Sequence, residues 1–283
     1  HNDHTPMTVL RSPLRSPLRS PLYSPLVGKW GAFSSEALAL FARFTTPPTE
    51  ARKTLINNRI NAAKASGAWD VRDGFYMMAA ADAQAGQRNW KADAFNLSEQ
   101  GTIAFEADRG YTSDGTTGYL ATGFTPSTAG GQFALDSAHL SVWSRTDAVN
   151  TGVSIGSRTS ASVGQSFMTL RSTSNLSTYR MNQAAAGTAA TVTNSSGGFV
   201  SRRNGATTRA LFRNGASVAT DTTVSTTLPT AAIVIGALNT GSVIGSFNTY
   251  QFASAGFGGN LTDAQILAEY NADLAYLQGV GAA

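Results

Sequence analysis

The sequence predicts a mainly β protein: an extended N-terminal arm, a small helical segment, then an all-β sandwich or barrel closed by one helix. Three observations predict it. Residues 11–26 repeat a four-residue unit with proline in every copy, RSPLRSPLRSPLYSPL. Residues 30–94 carry apolar positions at helical spacing. From about residue 95 glycine, serine and threonine become dense, and short alternating apolar runs are separated by turn signals, the pattern of a sandwich or barrel. The division is therefore 1–29, 30–94 and 95–283.

Composition removes several function classes. The 283 residues contain no cysteine, so disulfides and thiolate chemistry are absent. Three histidines leave little for a histidine metal site, and we expect no metal and no cofactor. Charged residues make up 13% against a usual share of roughly 25%. The net charge of +4 is uneven: Arg11, Arg15, Arg19 and Lys29 face only Asp3 in the first 29 residues, and no lysine or arginine follows Arg213. A nucleic-acid reader needs clustered cations on a folded face, so nucleic acid is not an expected partner. No apolar run reaches the roughly 18 residues that would insert in a membrane.

The arm has a definite geometry. Proline every fourth residue forbids a helix. In an extended strand the side chains and backbone groups alternate with period two. Pro13, Pro17, Pro21 and Pro25 then lose an N–H on one edge only. Leu14, Leu18, Leu22 and Leu26 share one face, and Arg11, Arg15 and Arg19 the other. Composition alone also fits a free linker. The repetition favours an anchor that pairs along one edge with a partner's sheet. Fully extended, its 28 or so residues reach roughly 90 Å.

The next segment reads as helical from 30 to 92. Ser34 or Ser35 caps a helix through Phe41, and Thr46 with Pro47 starts a second, striped by Leu55, Ile56, Ile60 and Ala63. Gly67 ends it. Trp69 and the run Phe75 to Met78 read as core. Beyond residue 95 ten strands are expected, among them Thr102–Glu106, His139–Arg145, Phe199–Arg202 and Ala210–Arg213. Asn214-Gly215 signals a two-residue hairpin, and Asp114-Gly115 a second turn. Thr262 with Gln265 forms a capping box for a last helix, with Leu267, Tyr270, Leu274 and Leu277 on one face.

Catalytic patterns are thin. Glycoside hydrolysis uses paired carboxylates, and Glu106 and Asp108 are the nearest arrangement. The favoured reading is that they are a strand end and a salt-bridge partner for Arg109. His139 beside Ser141 lacks a nucleophile motif, and His1 with His4 is too little for copper. Asp114 has no dense carboxylate cluster around it to hold calcium. We expect no enzyme and assign no catalytic residue.

Several segments resemble a known group. AFEADRGYTSDGTTGYLAT (104–122) resembles an opening hairpin with its turn at Asp114-Gly115, and HLSVWSR (139–145) a central strand. RALFRNGASVA (209–219) is similar to a hairpin with a recurring Asn-Gly turn. IVIGALN (233–239) and FGGNLTDAQILAEYNA (257–272) resemble a closing strand and helix. Together with LINNRINAAKASGAWDVRDGFYMMAAADAQAGQRNW, they cover about residues 50 to 280. They resemble the concanavalin A-like or laminin-G-like jelly rolls of tailed-bacteriophage structural proteins.

The resemblance implies a virion location. The protein would be a capsid decoration or tail-associated component held to other virion proteins by Arg11, Leu14, Arg15, Leu18, Arg19, Leu22 and Leu26. An outward sandwich would then touch host-surface polysaccharide. Homo-oligomerisation, with a trimer as the working number, would intertwine the arms. Glycan contact uses aromatic faces and hydroxyl or amide hydrogen bonds, for which Tyr119, Trp143 and Tyr179 are the candidates. The family's glucanase acids are absent. The alternatives are a polysaccharide-degrading enzyme of the particle and a cement protein with no ligand.

Overall fold

The computed structural model describes residues 33–184 and 189–283. The seven arm residues named above, with His1 and His4, lie outside the described residues. Residues 33–283 form one compact unit.

In chain order the helices and first strands are α1 (Ser35–Phe41), α2 (Glu50–Ala65), β1 (Arg72–Met77), α3 (Ala83–Gly86), β2 (Ser98–Gln100), β3 (Ile103–Glu106), β4 (Gly110–Ser113) and β5 (Tyr119–Ala121). The middle holds β6 (Ser137–Ser144), β7 (Ile155–Arg158), β8 (Gln165–Met168), β9 (Leu176–Gln183), β10 (Ala189–Thr191), β11 (Gly197–Asn204), β12 (Arg209–Arg213) and β13 (Ala216–Asp221). The chain closes with β14 (Val234–Ile235), β15 (Leu238–Asn239), β16 (Ile244–Gly245), β17 (Gln251–Gly258) and α4 (Asp263–Gly279).

The strands form two antiparallel sheets. The first runs β13-β12-β11-β6-β17-β4-β3, with β1 also beside β17. The second runs β10-β9-β8-β7-β14-β5-β2, with β15 touching β7 through one parallel bridge and carrying β16. Strand β6 shows why they stack. Its Ala138, Leu140 and Val142 enter the core between the sheets, alongside Phe199, Leu211 and Phe257 of the first sheet and Ile155, Met168 and Ile235 of the second. The alternate residue Trp143 points to the other side, into a cluster with Phe75, Met77 and residues of α1, α2 and α4. The first sheet is thus buried on both faces, by its partner sheet and by a helical layer. This is a jelly-roll β-sandwich with its C-terminal helix docked.

Charge holds the helical layer down. Arg59 of α2 and Arg72 of β1 both donate to Glu269 of α4, Arg59 at 2.6 Å. Arg59 Nε also donates to Asp273 at 2.6 Å. The two guanidiniums stack over the Phe75 ring, 4.5 and 4.4 Å from its centroid. Burial would raise the Glu269 carboxyl, but Arg59 and then Arg72 outweigh it and hold it at about 2.

Four expectations change. Residues 72–77 are a strand paired with β17, not helix, because Phe75 and Met77 must lie beside the sheet's outer face. Helix α2 starts at Glu50 with Thr49 as its cap rather than at Thr46, since Pro47 and Pro48 keep the preceding residues out of the helical region. Asp114-Gly115 is no hairpin turn. It is the corner where the chain leaves β4 in the first sheet for β5 in the second, and the hairpin turn lies between β3 and β4 at Asp108 (φ 61°). On α4, Leu267 is exposed, while Ile266, Glu269, Tyr276 and Leu277 are buried.

Candidate functional site

The three aromatic candidates lie in different places. Tyr179 of β9 is fully buried in the sandwich core, with the Arg209 guanidinium 4.6 Å over its ring, and offers no face to a ligand. Tyr119 of β5 is half-buried in the second sheet, 6.3 Å from Phe247. Trp143 is on the first sheet. The fold does not bring the three together. Of the acids, Glu106 accepts from Gln251 at 2.8 Å, while Asp108 sits in the β3–β4 turn and pairs with Arg52 at 2.5 Å. Arg109, the partner expected for Asp108, donates instead to that residue's own carbonyl.

Trp143 lines an open cleft of about 370 Å³ at one end of the first sheet. Its other walls are Arg145, just past β6, then Ser196 and Gly197 at the start of β11, Arg213 and Asn214 at the β12–β13 turn, and Tyr270 and Leu274 of α4. Ala282 and Ala283 close one rim. Trp143 and Tyr270 stack with centroids 5.5 Å apart and planes 8° from parallel. Trp143 is 6% exposed and Tyr270 half-buried, so the ring face left to the cleft belongs to Tyr270.

The Asn-Gly turn builds this arrangement. Asn214 (φ 51°) and Gly215 (φ 79°) both occupy the left-handed region. A Cβ on Gly215 would meet Leu267 at 2.8 Å and Tyr270 at 3.4 Å. Glycine there lets α4 press Tyr270 onto Trp143. Asn214 Oδ1 accepts from the Gly198 amide at 3.0 Å, which fixes the turn and leaves its Nδ2 without a protein partner among the described residues.

The arginines are held by single-sided contacts. Arg145 donates from Nε to the Ala282 carbonyl at 2.7 Å and from Nη1 to Gln251. Arg213 donates from Nη2 to the Ser196 carbonyl at 2.8 Å, and its Nε is buried without a partner. Burial, then the like charge of Arg109, push the Arg145 guanidinium below its ordinary value, with Glu106 opposing. No side-chain carboxylate lines the cleft.

A second cavity of about 180 Å³ is lined by Phe44, Pro47, Pro48, Ile56, Met77, Trp90 and Tyr276. Its polar members are mostly engaged: Arg52 with Asp108 and Tyr276, and Asp82 with the amide of Ala85. The open cleft combines an aromatic face with unengaged polar groups, and it is the better candidate. Sequence reading reached Trp143 but took Tyr270 as helix packing; the Asn214-Gly215 turn was the signal that marked the place.

No family model matches the sequence, and no curated protein is similar to it at a significant level. Among solved structures, a Trypanosoma rangeli sialidase matches with a TM-score of 0.50 and 12% identity, over 79% of this chain and 40% of its own. The binding domain of botulinum neurotoxin serotype D gives 0.48 at 10% identity, over 72% of this chain and 52% of that domain. Domain 4 of AbnA, a GH43 extracellular arabinanase from Geobacillus stearothermophilus solved with arabinotriose, gives 0.43 at 11% identity, over 71% and 98%. The chain thus spans about half the length of the toxin domain and less of the sialidase. The shared property is the β-sandwich fold. At such identity it carries no activity across.

Proposed function

We propose that this chain is a non-enzymatic structural or accessory component of a phage particle, held by its N-terminal arm, whose outward sandwich binds host-surface glycan in the Tyr270 cleft. The observation that carries the binding half is the half-buried Tyr270 ring set beside the unengaged Nδ2 of Asn214 and Nη2 of Arg145. Sugars lay their C–H faces on aromatic rings and meet amide and guanidinium donors with their oxygens. One open cleft of this kind gives weak binding, and many copies on a particle would supply avidity.

The test is binding to host-derived polysaccharide with the chain displayed at high copy. Tyr270→Ala is expected to lower apparent affinity at least tenfold, about 1.4 kcal/mol per site, while the melting temperature stays within a few degrees. Unchanged binding in that variant would remove the cleft from the reading.

The particle half is supported by the RSPL period and by the resemblance of segments 104–122, 139–145 and 209–219 to phage jelly rolls. Deleting residues 1–28 is expected to abolish incorporation into particles lacking the native protein, with the body still folded by circular dichroism. Equal incorporation of full-length and truncated chains would make the arm a dispensable linker.

A further inference from the structure

We propose that the outer face of the second sheet carries an oxyanion site, built by Arg158 of β7 and Arg180 of β9, that takes one phosphate, sulfate or carboxylate group. It lies on a different sheet from the Tyr270 cleft and does not rest on the glycan reading. Residues 148–220 hold seven arginines and no aspartate or glutamate. Folding finds partners for five of the seven. Arg171, Arg202 and Arg209 pair with Asp147, Asp263 and Asp221. Arg203 donates to the carbonyls of Met181, Gly205, Ala206 and Thr223, and Arg213 to that of Ser196. Arg158 and Arg180 are left. Neither forms an ion pair among the described residues. The Arg180 guanidinium donates to the side-chain oxygen of Gln165, and the Arg158 side chain makes no hydrogen bond among the described residues.

Strand register puts the two on one face. Ile155, Met168 and Tyr179 stand opposite one another across β7, β8 and β9, and all three enter the core. The adjoining row, Gly156, Phe167 and Arg180, therefore points outward. Arg158 and Gln165 form an opposed pair two positions further along β7 and β8, on that same outer face. Gln165 lies between the arginines, its Oε1 accepting from Arg180 and its Nε2 donating to the Ala161 carbonyl at 2.8 Å. The Arg180 guanidinium rests over the Phe167 ring, 5.1 Å from its centroid. Both arginines are half-buried, and the Nε of each is buried without a partner. Burial, then the like charges of Arg158 and Arg209, push the Arg180 guanidinium below its ordinary value, and no acid is among those influences. An oxyanion received by both arginines gives them the counter-charge that their surroundings lack. The planar guanidinium fork matches such a group, and charge-assisted bonds are roughly twice as strong as neutral ones.

The experiment follows the arginine Nε–H signals of the intact, isotope-labelled chain by NMR, assigned with Arg158→Gln and Arg180→Gln. Inorganic phosphate, sulfate, glucose phosphate or glucuronate is added at constant ionic strength, with chloride as the reference. At least one oxyanion is expected to shift the Arg158 and Arg180 signals together and saturably, at concentrations where chloride leaves them in place. Either glutamine variant is expected to weaken that binding about tenfold or more, as for the loss of one hydrogen bond to a charged group. Arg158→Lys, which keeps the charge and loses the fork, is expected to weaken it less, and Tyr270→Ala not at all. Tighter binding of glucose phosphate or glucuronate than of the free anions would support a site for anionic groups carried on sugars; equal binding would support a site for the free anion. Should Arg180→Gln fold poorly once it leaves Phe167, Arg158→Gln carries the test alone. Equal shifts in chloride would show screening alone and overturn the proposal. Oxyanion binding that survives both glutamine variants, or that vanishes in Tyr270→Ala, would place the anion elsewhere and overturn it as well. Neither failure touches the glycan reading, because no residue of the cleft takes part.

Discussion

Glu269→Gln is expected to destabilise the folded body by about 3–5 kcal/mol, the cost of breaking a buried pair and leaving charge uncompensated. Glu269 is 4% exposed and receives both Arg59 and Arg72. Arg59 is itself fully buried, and burial alone would lower its guanidinium; the charges of Asp273 and Glu269 outweigh that and raise it. Two cations face two anions in this cluster, and the neutral glutamine leaves one cation over. The glutamine also offers one acceptor oxygen where two guanidiniums converge. Equilibrium urea unfolding of wild type and variant measures the loss, and a difference under 1 kcal/mol would show that the cluster is solvated enough not to matter. Since a domain's whole stability is roughly 5–15 kcal/mol, the single substitution threatens the fold.

This cluster also marks where sequence reading stopped. With no lysine or arginine after Arg213, Glu269 and Asp273 read only as part of an acidic last stretch, and Leu267, Tyr270, Leu274 and Leu277 as the apolar face of its helix. The structure turns the helix so that Glu269 faces Arg59 and Arg72, which come from residues more than 190 positions earlier. Helical periodicity sees neighbours three and four apart and has no access to such partners. Strand β6 was legible because its apolar residues alternate, and the β12–β13 hairpin because Asn-Gly supplies two left-handed residues. Strand β1 was not, since its apolar residues run consecutively and it is buried on both faces. Strand β7, with the sequence IGSR, carries too few apolar residues to declare itself, whereas β8 overlaps the expected strand Ser166–Arg171. Of the cleft, Trp143 was legible as an aromatic on a strand; Tyr270 joined it only through the packing of α4.

Acid is expected to weaken the fold well above the pH at which its carboxylates titrate, and His139 is the reason. It is fully buried on β6, and its Nδ1 lies 2.5 Å from the Gly259 carbonyl. A carbonyl only accepts, so Nδ1 carries the proton and the ring is the neutral tautomer. Nε2 is buried with no partner. An imidazolium would need a second acceptor there. Burial, and next the charge of Arg72, lower the group to about 3 in the fold. The unfolded chain returns it to about 6.5. Between those values the unfolded state binds the extra proton and the folded state does not, so stability is full above about pH 6.5 and falls as pH drops towards 3. At pH 4.5 the loss is about 3 kcal/mol, from two pH units at 1.36 kcal/mol each. Glu269, held at about 2, gives up its own contribution only below its unfolded value near 4.3. Burial also raises the carboxyls of Asp73 and Asp273, so it is the comparison with a variant lacking the imidazole that isolates the histidine. Urea midpoints measured from about pH 6.5 to about 4.5 should decline in the wild type and run nearly flat in His139→Gln, whose amide can still donate but takes up no proton. Parallel slopes in the two proteins would place the acid sensitivity in other groups.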